Sequence, residues 1–344
     1  MTKTKSVRAS DFIGMILLLW MVSLVNAQES SVLGEGRGID EVIILVRDLE
    51  AAQDVYGNVL GFTLLPPKGS AYRLPSGLKI SGAYFAENQL ELRAIDDPEK
   101  AAENRPEYAN FLEQHEGARS LLLAVSSLDM TASFLRARGF EISEPIPGVF
   151  DGTTIWRIVT FTNSVLPGLP LVGQRPTGPG VRPDDEWLQR VATVWFVEYV
   201  DSQVDSREEW PPQHPNTARG IKSVWIGVQD LVTATKAYES VGLRSGQRRN
   251  LPQLEASGCE IEAGRGVILL LEPQSEDGKV ASFLAHRGEG IMGVSIEVRD
   301  LGTARKFIER NTGLEFAPYA GLYGNSILIS AEIAHGLWIE MFQR

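Results

Sequence analysis

The chain has 344 residues, with 33 Lys+Arg against 44 Asp+Glu, a formal net charge of −11, four histidines and one cysteine. The acidic balance excludes the clustered basic footprint that nucleic-acid phosphates require. The lone Cys259 excludes an internal disulfide framework and any metal cluster held by several cysteines.

The chain opens with Lys3, Lys5 and Arg8, then a continuous apolar run over residues 12–25, then small residues ending at Ala27. That order is a secretory signal peptide over residues 1–27, which places the mature protein in the periplasm or outside the cell. The run is too short for a bilayer-spanning helix, which needs about 20 residues, and no later run is longer. No membrane span is therefore expected after cleavage.

Residues 38–49 (GIDEVIILVRDL) return as residues 290–301 (GIMGVSIEVRDL) at a constant offset of 252. A third copy starts at Gly220 (GIKSVWIGVQDL), and a weaker fourth covers residues 120–128, with Ser127 in place of the Asp. Repeats of this kind mark the modular unit of a fold. In the first copy Val42, Ile44 and Val46 alternate with Ile43 and Leu45, so the strand is apolar on both faces and both are expected to be covered. Asp48 fits the N-cap of a helix over residues 49–60, and Gly61 its C-terminal stop. Short alternating segments follow at 81–86 and 90–95, and matching ones at 156–161, 267–271, 326–330 and 337–342. The unit is β-α-β-β-β, written four times. A Pro/Gly-rich stretch at 167–185 reads as a loop inserted in the second module, and residues 200–218 as a linker between halves.

These residues resemble the vicinal oxygen chelate superfamily, the fold of glyoxalases and extradiol dioxygenases, in its glyoxalase-like branch. IDEVIILVRDLEAAQDVYGNVLGF looks like the opening of such a module, and HPNTARGIKSVWIGVQDL, from His214, like a junction between paired modules. The resemblance implies an α+β fold of two half-barrel domains. The first covers 37–199 (modules 37–98 and 116–199) and the second 219–344 (modules 219–273 and 289–344). Pairing of modules within the chain and pairing swapped between chains in a homo-oligomer both stand open at this level.

The resemblance also implies a small-molecule ligand in the half-barrel, with a divalent metal (Mn, Mg, Zn or Fe) held by a first-strand His and a last-strand Glu. Here the first-strand positions are Glu41, Ser120, Ser223 and Gly293, none of them His. The last-strand positions are Glu91, then either Glu198 or Gln174, then Leu269, then Glu340. Glu41, Glu91 and Glu198 are the candidate metal ligands, and Glu41 and Glu91 the candidate catalytic pair. Without metal, two close carboxylates can share a proton and act as acid and base; alternatively they pair with Arg93. In the second half Trp338, Glu340 and Phe342 share one face by period 2, with His335 nearby as a candidate partner for Glu340. No phosphate-binding glycine loop is present, so no nucleotide cofactor is expected. The family reactions point to lyase or isomerase chemistry beside a carbonyl. Extradiol cleavage is disfavoured for want of histidine ligands. A binding protein of the same fold that has lost its metal site is the alternative.

Overall fold

The computed structural model describes residues 32–150, 153–169, 193–200 and 212–344. The expected signal peptide, most of the inserted loop with Gln174, and most of the linker lie outside the described residues.

The first module runs β1 (Ile39–Leu45), α1 (Leu49–Gln53, continued as a π-helical turn Asp54–Val59), β2 (Leu64–Leu65), β3 (Tyr72–Arg73), β4 (Leu78–Tyr84) and β5 (Gln89–Ile95). Two short helices, α2 (Pro98–Asn104) and α3 (Pro106–Gln114), lead to the second module: β6 (Gly117–Ala124), α4 (Leu128–Ala137), β7 (Ile146–Phe150), β8 (Thr153–Val159) and β9 (Val194–Tyr199). The third is β10 (Ala218–Gly227), α5 (Leu231–Ser240), β11 (Arg244–Leu251), β12 (Ala256–Ala263) and β13 (Gly266–Pro273). After α6 (Lys279–Arg287) comes the fourth: β14 (Gly290–Val298), α7 (Leu301–Thr312), β15 (Tyr319–Ala320), β16 (Asn325–Ile329) and β17 (Trp338–Gln343).

Each module helix starts where the sequence offers an acceptor to its unpaired backbone N–H groups. Asp48 accepts from Glu50 and Ala51, Asp230 from Val232 and Thr233, Asp300 from Thr303, and Ser127 from Met130. Such caps contribute about 1 kcal/mol each. Gly313 ends α7 at φ +71, a left-handed conformation that side chains disfavour.

The modules pair within the chain. In one curled sheet the order is β2-β4-β5-β1-β6-β9-β8-β7, with β3 on β4; in the other it is β11-β12-β13-β10-β14-β17-β16-β15. The two first strands of a pair lie antiparallel at the centre, β1 on β6 and β10 on β14. Each is flanked in parallel by the last strand of its own module, β5, β9, β13 or β17. Two half-barrels result.

One face of each sheet carries the module helices, and these faces share a single core. Val42, Ile44 and Val46 belong to the same apolar cluster as Val224, Ile226 and Val228, and as Val294, Ile296 and Val298, with all four helices contributing. Ties between halves reinforce it. Tyr56 donates to Ala334 O (3.1 Å), Tyr238 to Pro167 O (3.0 Å), and Asn88 exchanges two hydrogen bonds with the backbone of Ile221. The opposite, inner faces carry separate clusters. On the first, Ile43, Leu45, Trp195 and Val197 pack against Tyr108 and Leu112 of α3. On the second, Trp225, Leu269 and Met292 pack against Val280 and Phe283 of α6. Both faces of the central strands are therefore covered, as their apolar alternation requires.

A shared core predicts shared unfolding. Ile226 is fully buried in it and lies under Gly168 of the other half. Ile226→Ala should cost about 2–5 kcal/mol and lower one calorimetric transition for both sheets. Separate melting of the halves would contradict a common core.

Candidate functional site

Strand β5 reads Gln-Leu-Glu-Leu-Arg-Ala-Ile, and period 2 sends Gln89, Glu91 and Arg93 to the inner face while Leu90 and Leu92 enter the shared core. Parallel pairing sets Gln89 beside Glu41, Glu91 beside Ile43 and Arg93 beside Leu45. The two carboxylates singled out in the sequence are thus brought together, and Arg93 joins them. Its Nη2 donates to Glu41 Oε1 (3.2 Å) and its Nε donates to Glu91 Oε1. Gln89 Nε2 donates to Glu41 Oε2 (2.8 Å). Glu41 and Glu91 are each 5% exposed.

Two buried carboxylates share one guanidinium, so one proton is favoured. Burial first, then the neighbouring Glu91, push Glu41 up to about 8, with Arg93 opposing. Asp40 adds to the push. It sits where the β1–β6 register shifts and accepts a hydrogen bond from Tyr199 OH (2.6 Å).

A resident divalent metal does not fit this donor set. The guanidinium of Arg93 already takes the charge of both carboxylates, and Glu41 favours a proton. Among the described residues no group of three His, Cys, Asp or Glu side chains could hold an ion. Glu198 does not join Glu41 and Glu91. Leu122 of β6 pairs with Trp195, so Trp195 fills the last-strand position of the second module. Glu198 lies one strand step off that face and accepts from Arg157 (2.5 Å), which also bonds Asp129 of α4 (3.3 Å).

The sequence reasoning missed a second group on the same inner face. Arg119 stands at the other register shift between β1 and β6, 8% exposed, its guanidinium 5.6 Å from the Phe111 ring and 6.0 Å from that of Tyr108. Its Nε has no hydrogen-bond partner. Neither have the buried Tyr108 OH, Ser120 Oγ, Trp195 Nε1 and Gln89 Oε1. The Tyr108 hydroxyl acts electrostatically on both Arg93 and Arg119, linking the two groups. Burial pulls the Arg119 guanidinium down. Cation–π contact is worth about 0.5–2 kcal/mol, whereas taking an ion out of water costs several kcal/mol. The Glu107 carboxylate and the Tyr108 hydroxyl favour its charge against that cost. The only sequence signal for this group was the amphipathic Tyr108–Phe111–Leu112 pattern, since a register shift leaves no local mark.

The second inner face differs. Trp338, Glu340 and Phe342 do share it, as period 2 implies, but Glu340 is 1% exposed and fully engaged. Ser295 Oγ donates to its Oε2 (2.6 Å) and Tyr319 OH to its Oε1 (2.8 Å), while Trp225 Nε1 and Ser223 Oγ each donate to Ser295 Oγ at 2.9 Å. Phe342 packs against Tyr323, ring centroids 5.1 Å apart. His335 is not a partner of Glu340; it bonds Glu116 across the halves (2.9 Å).

A glyoxalase-like domain family matches residues 39–242, more than half of the chain. The chain belongs to this glyoxalase-like family. A hypothetical protein from Staphylococcus aureus has a solved structure similar over 89% of this chain and 99% of its own, at TM-score 0.54 and 11% identity. That likeness concerns the fold. Methylmalonyl-CoA epimerase from Mycobacterium tuberculosis aligns with 37% of this chain and 89% of its own, at TM-score 0.34 and 23% identity. A hypothetical protein from Bacillus halodurans C-125 aligns with 36% and 94%, at 0.33 and 25%. Among curated proteins no match is found. No helix among the described residues of this glyoxalase-like protein is long and apolar enough to cross a membrane.

The proton on Glu41 makes stability depend on pH in a fixed direction. A carboxyl group whose pKa is raised on folding contributes most below its unfolded value of about 4.3, and that contribution is lost as pH rises through about 8. The melting temperature should fall between pH 5 and 8 by the equivalent of a few kcal/mol (order of magnitude only). Glu41→Gln, which keeps the shape of the protonated acid, should remove this slope and melt higher than the parent at pH 9. An unchanged slope would show that Glu41 titrates normally.

Proposed function

We propose that this protein binds a small carbonyl compound on the inner face of its first half-barrel and moves a proton at the carbon beside the carbonyl, an isomerase or lyase step. Glu41 is the proton-transfer group. The observation behind this reading is the burial of Glu41 between Gln89 and Arg93 with its proton held to about pH 8, in the range where a general base works best. As carboxylate, Glu41 takes the proton and leaves an enolate. Arg93 and Gln89, which donate to Glu41 itself, are the donors at hand for the developing negative charge. Protonation of the enolate from the opposite face by water, with Glu41 giving its proton up to solvent, completes an isomerisation; expelling a β-substituent completes a lyase step. Export, resting on residues 1–27, belongs to the same proposal.

A second reading, ligand binding without chemistry, is favoured by the unpartnered Tyr108, Ser120 and Trp195 atoms, which need only an occupant. Proton exchange separates the two. In D2O, NMR should show α-hydrogen exchange in a bound carbonyl compound, with the rate rising as pH passes about 8. Glu41→Gln should slow it by ~10²–10⁴-fold. Glu91→Gln should move the profile to lower pH, because the Glu91 charge raises Glu41. Ligand binding with no exchange in the parent protein would leave the binding reading alone.

A further inference from the structure

Two side chains hydrogen-bond to Glu41, and only one of them can accept a hydrogen bond in return. We infer, resting on the proton-transfer reading above and deepening it, that Gln89 is a positioning residue for the proton on Glu41. Its side-chain amide donates to the carboxylate, turns over once the proton has arrived, and then accepts from the acid, which fixes the proton on Oε2.

Glu41 Oε1 accepts from Arg93 Nη2 (3.2 Å), and Oε2 accepts from Gln89 Nε2 (2.8 Å). A guanidinium has donors only, so a proton on Oε1 would face a cation that cannot receive it. An amide carries a donor and an acceptor of nearly equal size on one flat end, and half a turn exchanges them. Gln89 and Glu41 are both 5% exposed, so a proton held there needs a partner from the protein. Gln89 Oε1 is buried without a hydrogen-bond partner. One end of the amide therefore meets Glu41 and the other is unanchored, which leaves the contact with Glu41 to decide the orientation. With Nε2 toward Glu41 the pair is set for the carboxylate; with Oε1 toward it the pair is set for the acid.

The backbone keeps the two residues together. Parallel pairing of β1 with β5 sets Gln89 directly beside Glu41. At the corresponding place in the second half Gly293 lies beside Trp338, and a Cβ on Gly293 would fall 2.7 Å from Trp338 O. Acid and amide are present together in one half and replaced together in the other. In the reaction the proton leaves the substrate carbon for Oε2, and the C–H electron pair stays on the substrate as the enolate. Oε1 keeps its bond to Arg93 throughout.

NMR of the full chain, with glutamine and glutamate side chains labelled with 15N and 13C, tests this with no ligand present. Gln89→Met, close in size and lacking the amide, identifies the Gln89 signals by their loss. The Gln89 carbonyl and NH2 signals should follow pH along one curve shared with the Glu41 carboxyl, the carbonyl marked as an acceptor at low pH and the NH2 as a donor at high pH. Glu41→Gln should hold them at one value. In Gln89→Met the Glu41 midpoint should stay in place or fall, because the acid loses its acceptor as the carboxylate loses its donor, and α-hydrogen exchange should slow roughly tenfold. The inference is overturned if the Gln89 signals stay constant while Glu41 titrates, if Glu41 titrates only in the ordinary carboxylate range, or if Gln89→Met raises the midpoint, the mark of a donor to the carboxylate alone. A shared titration without exchange in any carbonyl compound would leave the role of Gln89 standing and remove the proton-transfer reading alone.

Discussion

Four first strands, each buried over most of its length, have to be covered on both sides, and that requirement organises the whole molecule. Pairing β1 with β6 and β10 with β14 places them at the centres of two sheets, where neither edge meets water. Their helix-covered faces merge into one core. Their inner faces cannot merge as well, so each takes a cover from the chain between modules, α2 and α3 in one half and α6 in the other. The position of any functional group follows from this. What points inward is screened from solvent by an inter-module helix, and what points outward is fixed in a core.

Such screening gives ordinary residues unusual chemistry. Glu41 on the surface would ionise near 4; on the inner face, between Gln89 and Arg93 and close to Glu91, it keeps its proton to about pH 8. Arg93 settles the balance between chelation and proton chemistry. A guanidinium already supplies positive charge to both carboxylates through directed hydrogen bonds, so a second cation there would meet its repulsion. The absence of a first-strand histidine, visible in the sequence, is matched by an internal cation on the last strand.

Much of this was legible in the residues. The repeat offset of 252 gave equivalent first-strand positions, and the strand pairing carries the equivalence on to the last strands, since Ile43 pairs with Glu91 and Ser295 with Glu340. Period 2 placed Trp338, Glu340 and Phe342 on one face, and the Asp and Ser caps marked the helix starts. Register was the weak point. Because side chains alternate, a strand misaligned by one residue presents the wrong face, and the insertion before β9 left Glu198 and Gln174 both open as the residue that meets Leu122. Trp195 does, and Glu198 turns to Arg157. Arg119 was hidden for a related reason: the register shift in β6 adds a residue to the inner face that strict alternation would send elsewhere.

The two halves hold a buried glutamate on the same fold in two different ways. At matching last-strand positions both hold a buried glutamate. In the second half every oxygen of that glutamate is met by Ser295 and Tyr319, and the serines are met by one another and by Trp225. A closed network of this kind specifies a structure and leaves no capacity for a guest. In the first half the carboxylates of Glu41 and Glu91 are tied to one arginine, while Arg119 Nε, the Tyr108 and Ser120 hydroxyls and Trp195 Nε1 make no hydrogen bond. Unmatched buried polar groups weaken a fold. Among the described residues most of them lie in the first half, with Tyr323 OH in the second, and the first inner face is therefore where the proposed function is sought.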